Sequence, residues 1–275
     1  ERALLAGAHV VQHPVNLGQG AAIQTGVEYA RSRPGAQVLG SYLEGPYFTP
    51  QNKGAHPPEL FRELDIAELD ALIAVSQNTL SVVALAPEKP GALEAIRHLK
   101  QRGVRVMLGH SAATYEQAVM AYANGARSMT HVYNGMTPFN HRANGLVGAA
   151  YRIRTMYGEI ICDGCHSTPA ALNNYFMSKG PDYSIMISDA LMAKGTPVGS
   201  KYIFGGNEIV IYPDGSAHLT STGGLAGSTL NINKGLKILV EDAMVPFNYA
   251  LNACTINPAR CLHLDDRKGS IQVGK

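Results

Sequence analysis

The sequence predicts an α/β fold whose parallel strands close into a barrel of the TIM-like (β/α)8 kind, and three observations predict it. Short apolar runs alternate with segments of helical periodicity from Val38 onward, the rhythm of repeated strand–helix units. Two of these runs, Val104–Leu108 and Ser128–Thr130, lead into histidines, His110 and His131, with an amphipathic helical segment, Tyr115–Ala123, between them. Two others lead into carboxylates, Val38–Leu43 into Glu44 and Tyr183–Ser188 into Asp189. Strands joined through a helix run parallel, so all four residues arrive at one rim, where such barrels keep their chemistry.

Taken in order, residues 1–38 read as a βα unit, with a strand at AHVVQH and a helix over Gly20–Arg31. Val38–Leu43 is then followed by a loop and a helix at Ile66–Ser76. Leu80–Leu85 ends in APE and is followed by a helix over Gly91–Arg102. Next come the two histidine strands, then Tyr157–Cys162 ending in DGCH, and Tyr183–Ser188 ending in DA. With the first segment that makes seven strands, one short of a full barrel. Beyond Asp189 the pattern changes: Tyr202–Phe204, Glu208–Ile211 and Ala217–Leu219, divided by Gly-Gly-Asn and Pro-Asp-Gly turns, predict short antiparallel strands. Ser228–Val240 and Val245–Cys254 read as helices, and Pro258 restarts a short one. The organisation expected is a 1–38 segment followed by a barrel over 39–275 with a small β insertion near 200–220.

Composition narrows the functional classes. A chain of 275 residues with 45% hydrophobic and 16% charged content can bury one large core, which excludes a disordered chain. The net charge is +2 and the basic residues are scattered, leaving no footprint for nucleic acid or a membrane surface. No apolar run approaches the ~18 residues of a membrane span, and ERALLAGAHVV lacks a basic start followed by a signal-type apolar core. A cytoplasmic location is expected. Cys162 and Cys165 form a CxxC, but Cys254 and Cys261 have the wrong spacing for a structural zinc site, so free thiols are expected.

A charge at the end of a buried strand is costly without a partner. Two imidazoles and the Glu44 carboxylate provide one, because together they can hold a divalent ion while leaving a position open for water. Asp189 nearby can shuttle protons, although an Asp at a strand end also serves commonly as an N-cap for the next helix. The ligand set suits zinc, with iron and cobalt as alternatives. Most of the ten histidines are expected in ordinary roles, His98 and His218 on the surface.

The stretches LEGPYFTPQNKGAH, LGHSAATYEQA, THVYNGMTPFNHR, CDGCH, ISDA and GGLAGSTL, in this order and spacing, resemble the N-acetylglucosamine-6-phosphate deacetylase family of the amidohydrolase superfamily. The resemblance runs from about Gly35 to Lys275. It implies hydrolysis of the acetamide of N-acetylglucosamine 6-phosphate, or of its galactosamine isomer, within amino-sugar catabolism. It further implies that Glu44, His110 and His131 bind the metal, that Asp189 is general base and acid, and that His56 stabilises the developing oxyanion. Ala55, Asn134, Gly135, Arg142, His166, Leu225, Ala226 and Gly227 fall on the substrate-binding set, with Arg142 on the phosphate. In the family this arginine commonly reaches a neighbouring subunit's site, which implies a homodimer.

The same resemblance implies a barrel incomplete at its N-terminus, with a small β-sandwich remnant, since a first strand carrying a two-ligand metal motif is not found. Residues 1–38 instead resemble the nucleotide-sugar domain of family 2 glycosyltransferases in HPVNLGQGAAIQTGVEYARSRPGAQ, without the acidic DxD-type motif. The alternatives to a deacetylase are therefore an inactive truncated remnant and a glycosyltransferase-related protein.

Overall fold

A computed structural model of the chain describes residues 39–273. The strand and helix expected within residues 1–38 lie outside the described residues. Six strands, β1 (Ser41–Glu44), β2 (Leu80–Leu85), β3 (Arg105–Leu108), β4 (Ser128–Met129), β5 (Tyr157–Ile161) and β6 (Ser184–Ile187), form one sheet in the order of the sequence. Every neighbouring pair is parallel. Sequential order in an all-parallel sheet is the order of a barrel wall, and six strands make it a partial one.

Each crossover is covered by helix: α1 (Ile66–Val75), α2 (Ala92–Gln101), α3 (Tyr115–Asn124), α4 (Gly145–Arg152) and α5 (Pro169–Lys179) follow β1 to β5 in turn. Their starts are legible locally. The Asp65 side chain accepts from the Glu68 N–H, and Thr114 with Gln117 makes a reciprocal capping box. Pro169 stands in the first turn of α5 behind the Thr168 cap.

Strand residues alternate between two apolar environments, as the pleat requires. Leu43, Val83, Leu85, Val106, Leu108 and Ile160 pack outward against the helices in the main core. Val82, Ala84, Met107 and Ile185 face inward with Phe48 and Cys261. Burial on both faces explains why β2 reads as a continuous apolar run, LSVVAL. By the same alternation Glu44 faces the interior, one residue beyond outward-facing Leu43.

After β6 come three antiparallel strands in a sheet of their own, β7 (Lys201–Phe204), β8 (Asn207–Ile211) and β9 (Ala217–Leu219). It packs through Ile209, Ile211, Ala217 and Leu219 on Ala226, Leu191 and Ala55. No further strand follows Leu219 among the described residues, so the expected β-sandwich remnant has no second layer there. The helix expected over Ser228–Val240 is shorter: α6 spans Ile232–Lys237 and passes into a π turn over Ile238–Asp242. Ser228 is instead tied to the barrel rim, its N–H donating to Asp189 O at 2.7 Å. The chain closes with α7 (Phe247–Cys254) and α8 (Ile256–Cys261), and Asn257 of α8 donates to the carbonyls of Pro181 and Ser184 beneath β6.

Candidate metal centre

Glu44 is the last residue of β1, and His110, His131 and Asp189 each lie two residues beyond β3, β4 and β6. Those three overshoot positions have φ of +46°, +22° and +50°. Left-handed backbone at a non-glycine residue is strained, and here it turns the side chains away from the strand direction and over the mouth of the sheet.

The result is a tight cluster. Glu44 Oε1 lies 3.1 Å from His110 Nε2 and 2.9 Å from His131 Nε2, and the two Nε2 atoms are 2.9 Å apart. The other ring nitrogens are occupied: His110 Nδ1 donates to Asn52 O at 2.8 Å and His131 Nδ1 to Asn134 O at 3.2 Å. A carbonyl only accepts, so the proton of each neutral ring sits on Nδ1 and both Nε2 lone pairs point inward with a carboxylate oxygen. Three convergent acceptors repel one another unless a cation lies among them. The donor set therefore fits a divalent metal, and among the described residues it is the one group of this composition.

Close packing fixes the His110 ring. A side chain at Gly135, with φ of +58°, would come within 2.8 Å of His110 Nδ1 and 3.0 Å of Asn52 O, so glycine is required there. On another side Gly54 is as close, and Phe48 and His56 lean on the ring with centroids 4.6 Å away.

Electrostatics follow from burial and from these contacts. Burial raises the Glu44 carboxyl, but its contacts with the His110, His131 and His56 rings outweigh this and hold it well below the usual range. Burial lowers His131, and the Glu44 carboxylate more than reverses this, so that a positive charge is favoured beside its oxygen. His110 goes down, chiefly through burial. Asp189 is pushed up by burial and by the negative charge of Glu44, with His131, His166 and His110 acting against the rise. Glu159, inside the barrel below the cluster, is raised to about 7 by burial and accepts from Thr130 and Tyr42.

His56 reaches the cluster, its Nε2 3.8 Å from Glu44 Oε1. His166 is held by Asp163, whose Oδ2 accepts from Nδ1 at 2.7 Å while Oδ1 accepts from the backbone N–H groups of Cys165 and His166. Asn134 and Gly135 belong to the loop beneath the two rings. Leu225, Ala226 and Gly227 link β9 to the Asp189 rim, and Ala55 lies under the small sheet with its carbonyl accepting from Asn207 at 3.4 Å. Arg142 is not brought into this cluster: it is exposed, in a loop beside exposed Phe139. The next element after Asp189 is strand β7 rather than a helix, which removes the N-cap reading. His98 and His218 are half-buried rather than free on the surface, His98 against Asp70 and His218 against Ser216. The four cysteines are free thiols. Sequence reasoning missed Asn52, Asp163 and Glu88; Asp163 stood in the CDGCH motif, whereas nothing in the sequence marked a backbone carbonyl as a ring's partner.

A model of the amidohydrolase family matches residues 10–275. An N-acetylgalactosamine-6-phosphate deacetylase of Escherichia coli O157:H7 is 54% identical over 245 residues, 89% of this chain and 64% of the relative. An N-acetylglucosamine-6-phosphate deacetylase of Vibrio furnissii is 46% identical over 241 residues, 88% of this chain and 59% of the relative. The chain thus spans less than two thirds of the length of these curated relatives. The crystal structure of N-acetylglucosamine-6-phosphate deacetylase from Pasteurella multocida superposes with a TM-score of 0.84 at 30% identity, covering 92% of this chain and 65% of that one. A mutant of the Mycobacterium smegmatis enzyme in complex with N-acetyl-D-glucosamine-6-phosphate gives 0.84 at 31% identity, covering 89% and 64%. Because the family match begins at residue 10, it runs through most of the stretch that resembled a glycosyltransferase, and that resemblance is not borne out.

Proposed function

The chain belongs to the amidohydrolase family, and from that premise we propose that it removes the acetyl group of an N-acetylhexosamine 6-phosphate, releasing acetate and the amino sugar 6-phosphate. The observation that carries the reading is the convergence of Glu44 Oε1 with the two Nε2 atoms of His110 and His131, below an Asp189 whose carboxyl is raised. A divalent cation on these three ligands, zinc or else iron or cobalt, would supply Lewis acidity, lowering the pKa of water toward ~7 and polarising the acetamide carbonyl.

The chain's own residues do the rest. Amides are poor electrophiles and amines poor leaving groups, so one carboxylate must take a proton from the attacking water and deliver it to the departing nitrogen. Asp189 takes both halves in this reading, supported by the burial and the Glu44 charge that raise its affinity for that proton. His56 is the donor on hand for the carbonyl oxygen as it gains charge. His166, oriented by Asp163, and the loop of Asn134 and Gly135 would meet the sugar, and Ala55, Leu225, Ala226 and Gly227 would offer backbone to it. Arg142 is the planar cation suited to a phosphate and, exposed on its loop, is free to serve a second copy in a homodimer. No helix among the described residues is long and apolar enough to cross a membrane; a cytoplasmic location is part of this proposal.

Acetate release from the glucosamine and galactosamine substrates, with added Zn²⁺ and with chelator, tests the proposal. Chelator-sensitive release from either epimer supports it; no release from a folded chain loaded with metal overturns it.

A further inference from the structure

Glu88 stands three residues beyond β2, on the same rim as the cluster but with no side-chain contact to it. Its carboxylate gathers three donors from two other loops. Oε2 accepts from Ser111 Oγ at 2.7 Å, and Oε1 accepts from the Ala112 N–H at 2.6 Å and from Thr49 Oγ1 at 3.0 Å. Ser111 is fully buried and follows His110 directly. Thr49 begins the loop that reaches His110 from the other side: its N–H donates to His110 O at 3.2 Å, and Asn52 in that loop accepts from His110 Nδ1. Asn52 Nδ2 also donates to Ser111 O at 2.6 Å.

Both sides of His110 thus hang on one carboxylate, at a residue whose left-handed backbone resists the position it holds. Charge-assisted hydrogen bonds of this kind are about twice as strong as neutral ones. We infer that Glu88 is a positioning residue of the metal centre, clamping the loops at Thr49 and Ser111 so that the His110 ring keeps its proton on Nδ1 and its Nε2 lone pair toward the ion. The inference rests on the metal-centre reading above and adds a residue outside the set of direct ligands.

The test uses the full chain stripped of metal and titrated with Co²⁺, read by visible absorption, together with ¹⁵N NMR of the histidine rings before metal is added. Glu88→Ala is expected to weaken Co²⁺ by about 10- to 100-fold, the usual loss for an outer partner. It should also alter the visible bands and release His110 from a single tautomer. Glu88→Gln keeps an acceptor for Ala112 and Thr49, so it should lose less; it carries the test if the alanine variant does not fold. Wild-type Co²⁺ affinity and unchanged His110 ring signals in folded variants overturn the inference. A wild-type chain that takes no Co²⁺ overturns the metal centre instead, and the metal-free ring signals then decide Glu88 by themselves.

Discussion

His110 and His131 face each other through Nε2 atoms 2.9 Å apart, and the same oxygen of Glu44 touches both. Each ring is locked from behind by a carbonyl, so neither can turn its N–H inward to relieve the contact without breaking that bond. Glu44→Gln removes the charge while keeping the shape. Metal affinity should fall by at least about 100-fold, beyond the loss expected for an outer partner, as measured by competition with a chromophoric chelator. Unchanged affinity would remove Glu44 from the ligand set.

Asp189→Asn should lower kcat by about 10²- to 10⁴-fold, the range of a lost general acid–base. Metal content and substrate affinity, read by elemental analysis and calorimetry, should stay at the wild-type level. Turnover equal to the wild type would end the proton-shuttle assignment.

For Arg142→Ala the expectation is selective. Losing a charge-assisted contact worth about 1.5–3 kcal/mol corresponds to roughly 10- to 100-fold in KM for the phosphorylated sugar. The unphosphorylated N-acetylhexosamine should be unaffected. Equal effects on both would show that the arginine does not read phosphate.

Lys179 supplies a pH prediction remote from the metal. Its amine is buried, donates to Ala150 O and Ile153 O behind α4, and is brought down to about 7, first by burial and then by Arg154. The folded state therefore binds fewer protons than the unfolded one between about pH 7 and the ordinary lysine range, and stability rises with pH across that window. The stabilisation is complete above the unfolded pKa and lost as pH falls through about 7. Thermal melts of the wild type and of Lys179→Met should show Tm diverging in favour of the wild type as pH is raised from 7 to 9; a constant difference would contradict the buried amine.

The candidate ligands were legible because each follows a buried run, and a charge there needs a partner. The barrel wall was legible from the same runs. Helices α4 and α5 were not read from periodicity, for good physical reason: Gly145–Ala150 of α4 are all buried, so no apolar stripe forms. Thr168-Pro169 was the available signal for α5. Ser228–Leu230 looked helical in composition but is taken up by the rim and the small sheet, a tertiary contact no local pattern contains. Asn52 acts through its carbonyl as well as its side chain, and the carbonyl is common to every residue type.

The left-handed backbone at His110, His131 and Asp189 carries a further consequence. Three strained residues at roughly 1–3 kcal/mol each are a large fraction of the net stability of an ordinary domain. Selection for a sturdier fold and selection for turnover therefore pull these positions in opposite directions. Random libraries screened for heat resistance alone should accumulate glycine or asparagine at 110, 131 and 189, yielding chains that melt later and no longer react.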